Sequence, residues 1–258
     1  MAPTPVWYAG AMAILVFQHH DIGRPGRLGA TLRDHGRRLD IRELHAGDPV
    51  PSDLDDVDGV VSLGGLENVG DPPESAPWMQ PEMDLLRAAH HRGLPIVGVC
   101  LGAQLVAAAL GGEVGHMDQP EIGFHTVSLN TPGQTDTMHA GVAWDSAQFL
   151  HHGCEVKRLP EGGVALSASN RCAIQAFRAG MRTYGFQYHF EADQRMIHQL
   201  IDAAQDDLHR AGYTEDEITQ QIETTYADFA RLADRLCVNI ATYLMPSARP
   251  APNVLQAG

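Results

Sequence analysis

The stretch LPIVGVCLGAQLVAAALGG, residues 94–112, decides the fold class. Residues 94–99 form a nearly continuous apolar run, which is typical of a strand buried on both faces of a parallel sheet. Residues 101–110 are rich in alanine and leucine, and Gly111 and Gly112 follow them, which favours a helix that ends there. A buried strand that leads directly into a helix predicts an α/β fold.

The same alternation is predicted on both sides of this stretch. Before it, strands are predicted at residues 11–17, 39–44 and 59–63, and helices within 21–36 and at 81–92. After it, shorter strands are predicted at 125–129, 165–167, 173–177 and 183–188. Beyond Asp193 the chain is predicted to be helical to about Tyr243, with Thr214 and Glu217 as a capping box. The pattern predicts a mostly parallel sheet with helices on both faces.

The length of 258 residues suits one α/β domain with an elaboration. We predict a core at about residues 9–192, a C-terminal helical extension at about 193–246 and a flexible tail at 247–258. Four irregularly spaced cysteines do not indicate a disulfide framework.

Composition and charge argue against several classes of function. The formal net charge of -14 repels phosphate backbones and anionic lipids, so we expect neither a nucleic-acid nor a membrane partner. Lys157 is the only lysine, which excludes a P-loop, and no histidine spacing indicates a metal site. We therefore expect no cofactor and no metal. The apolar stretch at residues 9–17 lacks a preceding positive charge and is too short to span a bilayer, so a cytoplasmic location is expected.

Cys100 lies between Gly98 and Gly102, at the junction of the predicted strand and helix, in the form of a nucleophile elbow. A helix N-terminus favours a thiolate, and the backbone N–H of Leu101 is placed to hold a developing oxyanion. The glycine turn at residues 62–65 can supply a second donor. The alternative is that Cys100 is a small buried apolar residue at a tight turn.

His189 and Glu191 supply the base and the acid that a cysteine nucleophile needs. On an extended segment, residues two apart face the same side, so the two side chains are predicted to meet. The chain has 14 histidines, and adjacent pairs such as His19 and His20 carry little information. His189 differs because it follows a predicted apolar strand and has an acid at the required interval.

Together these residues resemble the class I glutamine amidotransferases, and more closely their stand-alone members similar to the amidotransferase part of GMP synthase. The resemblance runs from Gly59 through the C-terminal helices. Residues 98–104 look like the family's elbow, in which the cysteine attacks the amide and Gln104 lines the substrate pocket. Gly64 and Gly65 match the family's oxyanion turn.

Two further patches, residues 121–123 and 152–153, are similar to those of the stand-alone group. The chain departs from the family pattern at two positions. Phe190 stands where the family usually has proline between the histidine and the acid, and Cys154 stands where aspartate often follows His-Gly. The first puts local rigidity in doubt and the second alters a pocket wall.

The resemblance implies a flavodoxin-like fold and hydrolysis of glutamine through a γ-glutamyl thioester at Cys100, with release of ammonia. The small-molecule substrate is then glutamine or another γ-glutamyl amide, and the ammonia acceptor would belong to a separate synthetase subunit. An α/β-hydrolase with a cysteine nucleophile is a weaker alternative, because its histidine would follow its acid along the chain. A silent relative that only binds a partner remains as an alternative of another class.

Overall fold

The computed structural model describes residues 12–204, 208 and 210–246, which form an α/β fold around one nine-stranded sheet. The strand order is β2-β1-β3-β4-β9-β8-β7-β5-β6. The strands are β1 (Ala13–Gln18), β2 (Arg38–Glu43), β3 (Val57–Ser62), β4 (Ile96–Val99), β5 (Glu113–Leu129), β6 (Asp145–Arg158), β7 (Gly163–Ala168), β8 (Ala176–Ala179) and β9 (Thr183–Phe186). The predicted flavodoxin-like α/β class is confirmed.

The sheet has a parallel half and an antiparallel half. Neighbouring strands run parallel in the series β2-β1-β3-β4-β9 and antiparallel in the series β9-β8-β7-β5-β6, so β9 joins the two halves. Val99 pairs with Phe186 in the last parallel pair. The carboxyl ends of β4 and β9 therefore share one edge of the sheet, where Cys100 and His189 follow.

The antiparallel half differs most from the sequence prediction. Strand β6 was not predicted, and β5 extends well beyond the predicted strand at residues 125–129. The two strands form a long hairpin whose register is interrupted between the pairs His116–Cys154 and Glu121–His152. Residues 117–120 bulge out of the ladder there, which explains how Pro120 is tolerated inside a strand.

The α-helices whose two ends are described are α1 (Gly26–Asp34), α2 (Met79–His91), α3 (Leu101–Ala109), α4 (Thr131–Thr135), α5 (Gln194–Ala203) and α6 (Glu215–Asn239). Short helical turns also lie at Leu44–Ala46, Thr137–His139 and Ile240–Leu244. Alternate residues of β1 belong to two separate apolar clusters. Ile14 and Val16 pack with side chains of α1, α5 and α6, and Leu15 and Phe17 pack with those of α2 and α3. The helices therefore cover both faces, as a buried parallel sheet requires.

The C-terminal extension is helical as predicted, and the Thr214–Glu217 capping box is confirmed at the start of α6. The predicted tail, residues 247–258, and the start of the predicted core, residues 9–11, lie outside the described residues. The division into core, extension and tail stays a prediction. None of the helices in the described ranges is long and apolar enough to cross a membrane.

Candidate active site

Cys100 occupies a strained turn between β4 and α3. Its φ of 50° and ψ of -111° lie in a region that side-chain-bearing residues rarely adopt. The backbone is held on both sides, because the N–H of Cys100 donates to Phe186 O at 2.8 Å and its carbonyl accepts from the N–H of Gln104 at 3.1 Å. A Cβ at Gly102 would lie 2.0 Å from Ser62 O, so only glycine fits there. The strand-to-helix elbow thus presents the thiol at the carboxyl edge of the sheet.

His189 and Glu191 come together, although in a different backbone conformation from the predicted one. Strand β9 ends at Phe186, and the N–H of Ala192 donates to His189 O at 3.2 Å, closing a turn. The prediction that an extended segment aligns the two side chains is wrong. The turn itself brings Nδ1 of His189 to 2.8 Å from Oε1 of Glu191.

The ring of His189 is held in one orientation beside Cys100. Nδ1 is held by Glu191, which leaves Nε2 as the ring nitrogen for Cys100, whose charge acts on the ring. The thiol of Cys100 itself donates to His151 O at 3.6 Å in this structure. Burial lowers the pKa of His189, but the charges of Glu191 and Cys100 outweigh it and raise that pKa well above its usual value. The site therefore favours an imidazolium beside the sulfur.

The loop that carries the acid is tied to the C-terminal extension through Arg27. The N–H of Arg27 donates to Glu191 O at 2.8 Å, and its guanidinium donates to Ala192 O at 3.3 Å. The same guanidinium binds Asp234 of α6 at 2.7 Å and also the hydroxyl of Tyr226. Helix α6 thus helps to fix the position of the acid, a role beyond covering the sheet.

The backbone N–H groups of Gly65 and Leu101 lie near Cys100 and have no acceptor among the described residues. Leu101 is the first residue of α3, so its N–H lies at the positive end of the helix. A Cβ at Gly64 would lie 2.9 Å from Cε1 of His189 and 3.6 Å from Cβ of Cys100. The glycine turn therefore lies directly against both groups, where an oxyanion would form.

A cavity of about 680 Å³ opens over this site. Its lining includes the predicted residues Cys100, His189, Glu191, Gly64, Gly65, Leu101 and Gln104. The side-chain amide of Gln104 donates to Cys154 O at 3.0 Å and to Oε1 of Gln187 at 3.2 Å. Gln104 thus holds the far wall in place as well as facing the cavity. This size lies within the usual range for small-ligand pockets.

The β5–β6 hairpin forms the wall opposite α3. Glu121 and His152, from the two further predicted patches, are directly paired, with Oε2 of Glu121 3.2 Å from Nε2 of His152. Ser169 and Gln175 also donate to the carboxylate of Glu121 at 2.6 and 2.7 Å. Burial raises the pKa of Glu121, but the bonds from His152 and Ser169 outweigh it and keep that pKa below its usual value.

The two departures from the family pattern have structural consequences. Phe190 is fully buried, and its ring packs edge-on against Phe186 at 5.0 Å, so aromatic packing supplies the rigidity that proline would give. Cys154 lines the cavity, with its sulfur 3.1 Å from Oδ1 of Asn68 and 3.3 Å from Nδ1 of His116. Burial and the nearby Asp71 raise the pKa of Cys154. Its thiol is thus less readily ionised than an unperturbed cysteine.

Several residues around the site gave no usable signal in the sequence. They are Asn68, His116 and His151 in the cavity wall, and His19 and Glu82, which form a buried ion pair beneath the glycine turn. Burial lowers the pKa of His151 to about 3, so its ring is neutral. No group of three or more histidine, cysteine, aspartate or glutamate side chains in the described ranges could hold a metal ion.

The chain is similar to known glutamine amidotransferases. The chain matches the family model of class I glutamine amidotransferases over residues 28–202. It is 28% identical over 187 residues to the glutamine amidotransferase-like protein YfeJ of Salmonella typhimurium, covering 70% of this chain and 77% of that protein. It is 34% identical over 164 residues to a glutamine-hydrolyzing subunit of GMP synthase from Natronomonas pharaonis, covering 62% of this chain and 78% of that protein.

A solved structure agrees with these relatives. The glutamine amido transferase from Methylobacillus flagellatus superimposes with a TM-score of 0.79 and 25% identity, covering 88% of this chain and 93% of that one. Cys100, the His189–Glu191 pair and the glycine turn all lie within residues 28–202, the region that matches the family model. The chain belongs to the class I glutamine amidotransferase family.

Proposed function

We propose that this protein hydrolyses the side-chain amide of glutamine, with Cys100 as nucleophile, His189 as base and Glu191 as the acid that orients it. The observation that carries the proposal is the Cys100 thiol beside a buried imidazole whose other nitrogen lies 2.8 Å from a carboxylate, at the floor of a ligand-sized cavity. This arrangement meets the requirements for an activated thiol nucleophile.

The reaction proceeds in two steps. The thiol proton passes to Nε2 of His189 before attack, which gives a thiolate beside an imidazolium. The thiolate attacks the amide carbon, and His189 returns the proton to the departing nitrogen, which leaves as ammonia. The product of this step is a γ-glutamyl thioester on Cys100. Water then adds to the thioester carbon, with His189 taking its proton, and glutamate leaves as the thiol is restored.

The N–H groups of Leu101 and Gly65 stabilise the oxyanion in both steps. Neither has another acceptor among the described residues, so each is available to substrate. Removal of a single donor of this kind typically lowers kcat by about 10²–10³-fold. We assign substrate contact to Gly64 and Gln104, which line the cavity beside Cys100.

The ammonia would be used by a separate synthetase. The relative from Natronomonas pharaonis is named as one subunit of a GMP synthase, and this chain covers 78% of its length. We propose a comparable division of labour here, with the acceptor bound by another polypeptide.

A second candidate is the hydrolysis of a larger γ-glutamyl amide at the same thiol. The cavity of about 680 Å³ favours it, because it provides more space than glutamine alone fills. Steady-state rates with glutamine and with γ-glutamyl amides of increasing size separate the two candidates.

The direct test mixes purified protein with glutamine and measures ammonia, with Cys100→Ala as the inactive control. A glutamine analogue with an electrophile at the amide position should label Cys100 alone, because burial raises the pKa of Cys154, Cys172 and Cys237. Mass mapping should place the adduct on the peptide containing residues 98–104, and excess glutamine should protect it.

Cys154→Ser is the matched control, since this thiol lines the same cavity. It should keep both labelling and ammonia release. An adduct on Cys154, or labelling that glutamine does not slow, would remove glutamine as the substrate. Ammonia release by Cys100→Ala at the rate of the unchanged protein would exclude the cysteine mechanism, and absence of all hydrolysis would favour a silent relative.

A further inference from the structure

A second buried histidine–carboxylate pair lies beneath the glycine turn, apart from the residues assigned to the reaction. Nε2 of His19 is 2.7 Å from Oε2 of Glu82, and both side chains are completely inaccessible to solvent. The hydroxyl of Ser62 donates to the other oxygen of Glu82 at 2.6 Å. The ring of His19 also stacks on Trp78, with centroids 4.5 Å apart. Both partners are therefore held in one orientation.

The remaining nitrogen of His19 contacts the turn itself. Nδ1 lies 3.0 Å from Leu63 O, and a carbonyl can only accept, so Nδ1 carries a proton. The same carbonyl accepts from the N–H of Gly102 at 3.0 Å. Leu63 O thus joins three elements at one atom: the pair at His19, the glycine turn and the first turn of α3.

These bonds act on both proposed oxyanion donors. Leu63 precedes Gly64 and Gly65 on one side, and Gly102 follows Leu101 on the other. A Cβ at Gly65 would lie 2.8 Å from Cβ of His19, so the turn lies directly against the first side-chain atom of His19. Movement of Leu63 O by a fraction of an ångström would misalign the N–H groups of Gly65 and Leu101.

We propose that His19, held by Glu82, is a positioning residue that fixes the oxyanion turn against the start of α3. This inference rests on the proposed hydrolysis, since it assigns the pair a part in that reaction. A buried ion pair contributes little net stability compared with well-packed apolar side chains, because both charges are desolvated. The pair therefore acts chiefly on orientation.

The test compares two variants that differ at one residue. Glu82→Gln keeps every hydrogen bond: the new amide donates to Nε2 of a neutral His19, its oxygen accepts from Ser62, and Nδ1 still donates to Leu63 O. The double variant His19→Leu with Glu82→Gln has the same neutral partner but no donor to Leu63 O. Should the double variant fold poorly, His19→Met with Glu82→Gln provides a more adaptable side chain.

We expect Glu82→Gln to keep kcat within about threefold and the double variant to lose about 10- to 100-fold in kcat with KM nearly unchanged, because an oxyanion forms only in the transition state. Alkylation of Cys100 by iodoacetamide needs no oxyanion, so its rate should stay within about threefold in both variants. A purely structural role would lower alkylation and kcat together, and that result would overturn the proposal. A double variant as active as Glu82→Gln would overturn it too.

Hydrogen exchange separates this proposal from the proposed function. In the double variant, the N–H of Gly102 and the peptide covering residues 62–66 should exchange faster than in Glu82→Gln, with or without substrate. If the unchanged protein releases no ammonia but this exchange increases, the positioning role stands and glutamine hydrolysis fails. If exchange is the same in the two variants, the positioning role fails, whatever the activity.

Discussion

Two buried histidine–carboxylate pairs lie on either side of the glycine turn, and they differ in what the second ring nitrogen faces. Glu191 holds Nδ1 of His189 at 2.8 Å, and Cys100 lies close enough for its charge to act on the ring. Glu82 holds Nε2 of His19 at 2.7 Å, and the other nitrogen is bound to Leu63 O. The first ring has a nitrogen available to exchange a proton, whereas the second has none.

A carboxylate partner does not by itself make a histidine catalytic. In both pairs the carboxylate outweighs burial and raises the pKa of the histidine. Of the two histidines, His189 is the one that lines the cavity, together with Cys100, the proposed nucleophile. A buried histidine with two fixed partners serves orientation, and one with a single fixed partner can serve chemistry.

The largest expected effect comes from removing the ring of His189. His189→Ala should lower kcat/KM by about 10³–10⁴-fold, because general-base catalysis of this kind contributes about 10²–10⁴-fold and the thiolate also loses its counter-ion. The loss should exceed that of the double variant at His19 and Glu82. Equal losses in steady-state ammonia release would mean that the two rings do not have different roles.

The next effect concerns the acid at the active site. Glu191→Ala should lower kcat by about 10- to 10²-fold, less than His189→Ala, because an orienting acid generally matters less than the base it holds. Glu191→Gln is the conservative control, since its amide oxygen can still accept from Nδ1. If Glu191→Ala proved the most severe of the triad variants, the carboxylate would have a direct role in proton transfer.

A smaller effect is expected from the third buried pair, Glu121 and His152. Glu121→Gln should raise KM about fivefold and change kcat less, because the loss of about 1 kcal/mol of charge-assisted bonding loosens the wall but leaves Cys100 untouched. Ser169→Ala removes a single bond to the same carboxylate and should have a smaller effect. A fall in kcat at constant KM would place Glu121 among the groups that act in the transition state.

The smallest effect is a pH dependence of stability that comes from His19. The pKa of His19 is raised in the folded protein. The stabilisation of the fold by protonated His19 is therefore complete below the pKa of the unfolded chain, about 6.5, and is lost as pH rises through the folded pKa. Between these two values the free energy of unfolding should fall by at most about 1.4 kcal/mol per pH unit relative to the double variant at His19 and Glu82. His189 is common to both proteins and cancels. Denaturant titrations from pH 6 to 9 measure the difference, and parallel curves would contradict a charged His19.

The parallel half of the fold could be predicted because its signals are local. Residues 94–112 contain an apolar run, an elbow and a glycine stop, and the observed β4 (Ile96–Val99) and α3 (Leu101–Ala109) agree with them. Strand β6 (Asp145–Arg158) is mixed in polarity and includes two adjacent histidines and a glycine. Its stability comes from pairing with β5, and that long-range contact leaves no regular period in the sequence.

In the candidate site, too, local sequence patterns could be predicted and long-range contacts could not. Cys100 was found from flanking glycines, and His189 and Glu191 from their two-residue interval. Glu82 lies 63 residues from His19, so no spacing rule connects them, and the adjacent histidines at 19 and 20 suggested nothing. A hydrogen bond between a ring and a distant carboxylate can be recognised only once the fold has brought the two together.

The positive φ of Cys100 makes this position costly for the stability of the fold. A residue other than glycine with φ of 50° carries a conformational cost of about 1–3 kcal/mol. Glycine would adopt the same geometry without that cost. Selection for heat resistance alone would thus favour glycine in place of the proposed nucleophile, so selection for stability and selection for activity oppose each other at this one position.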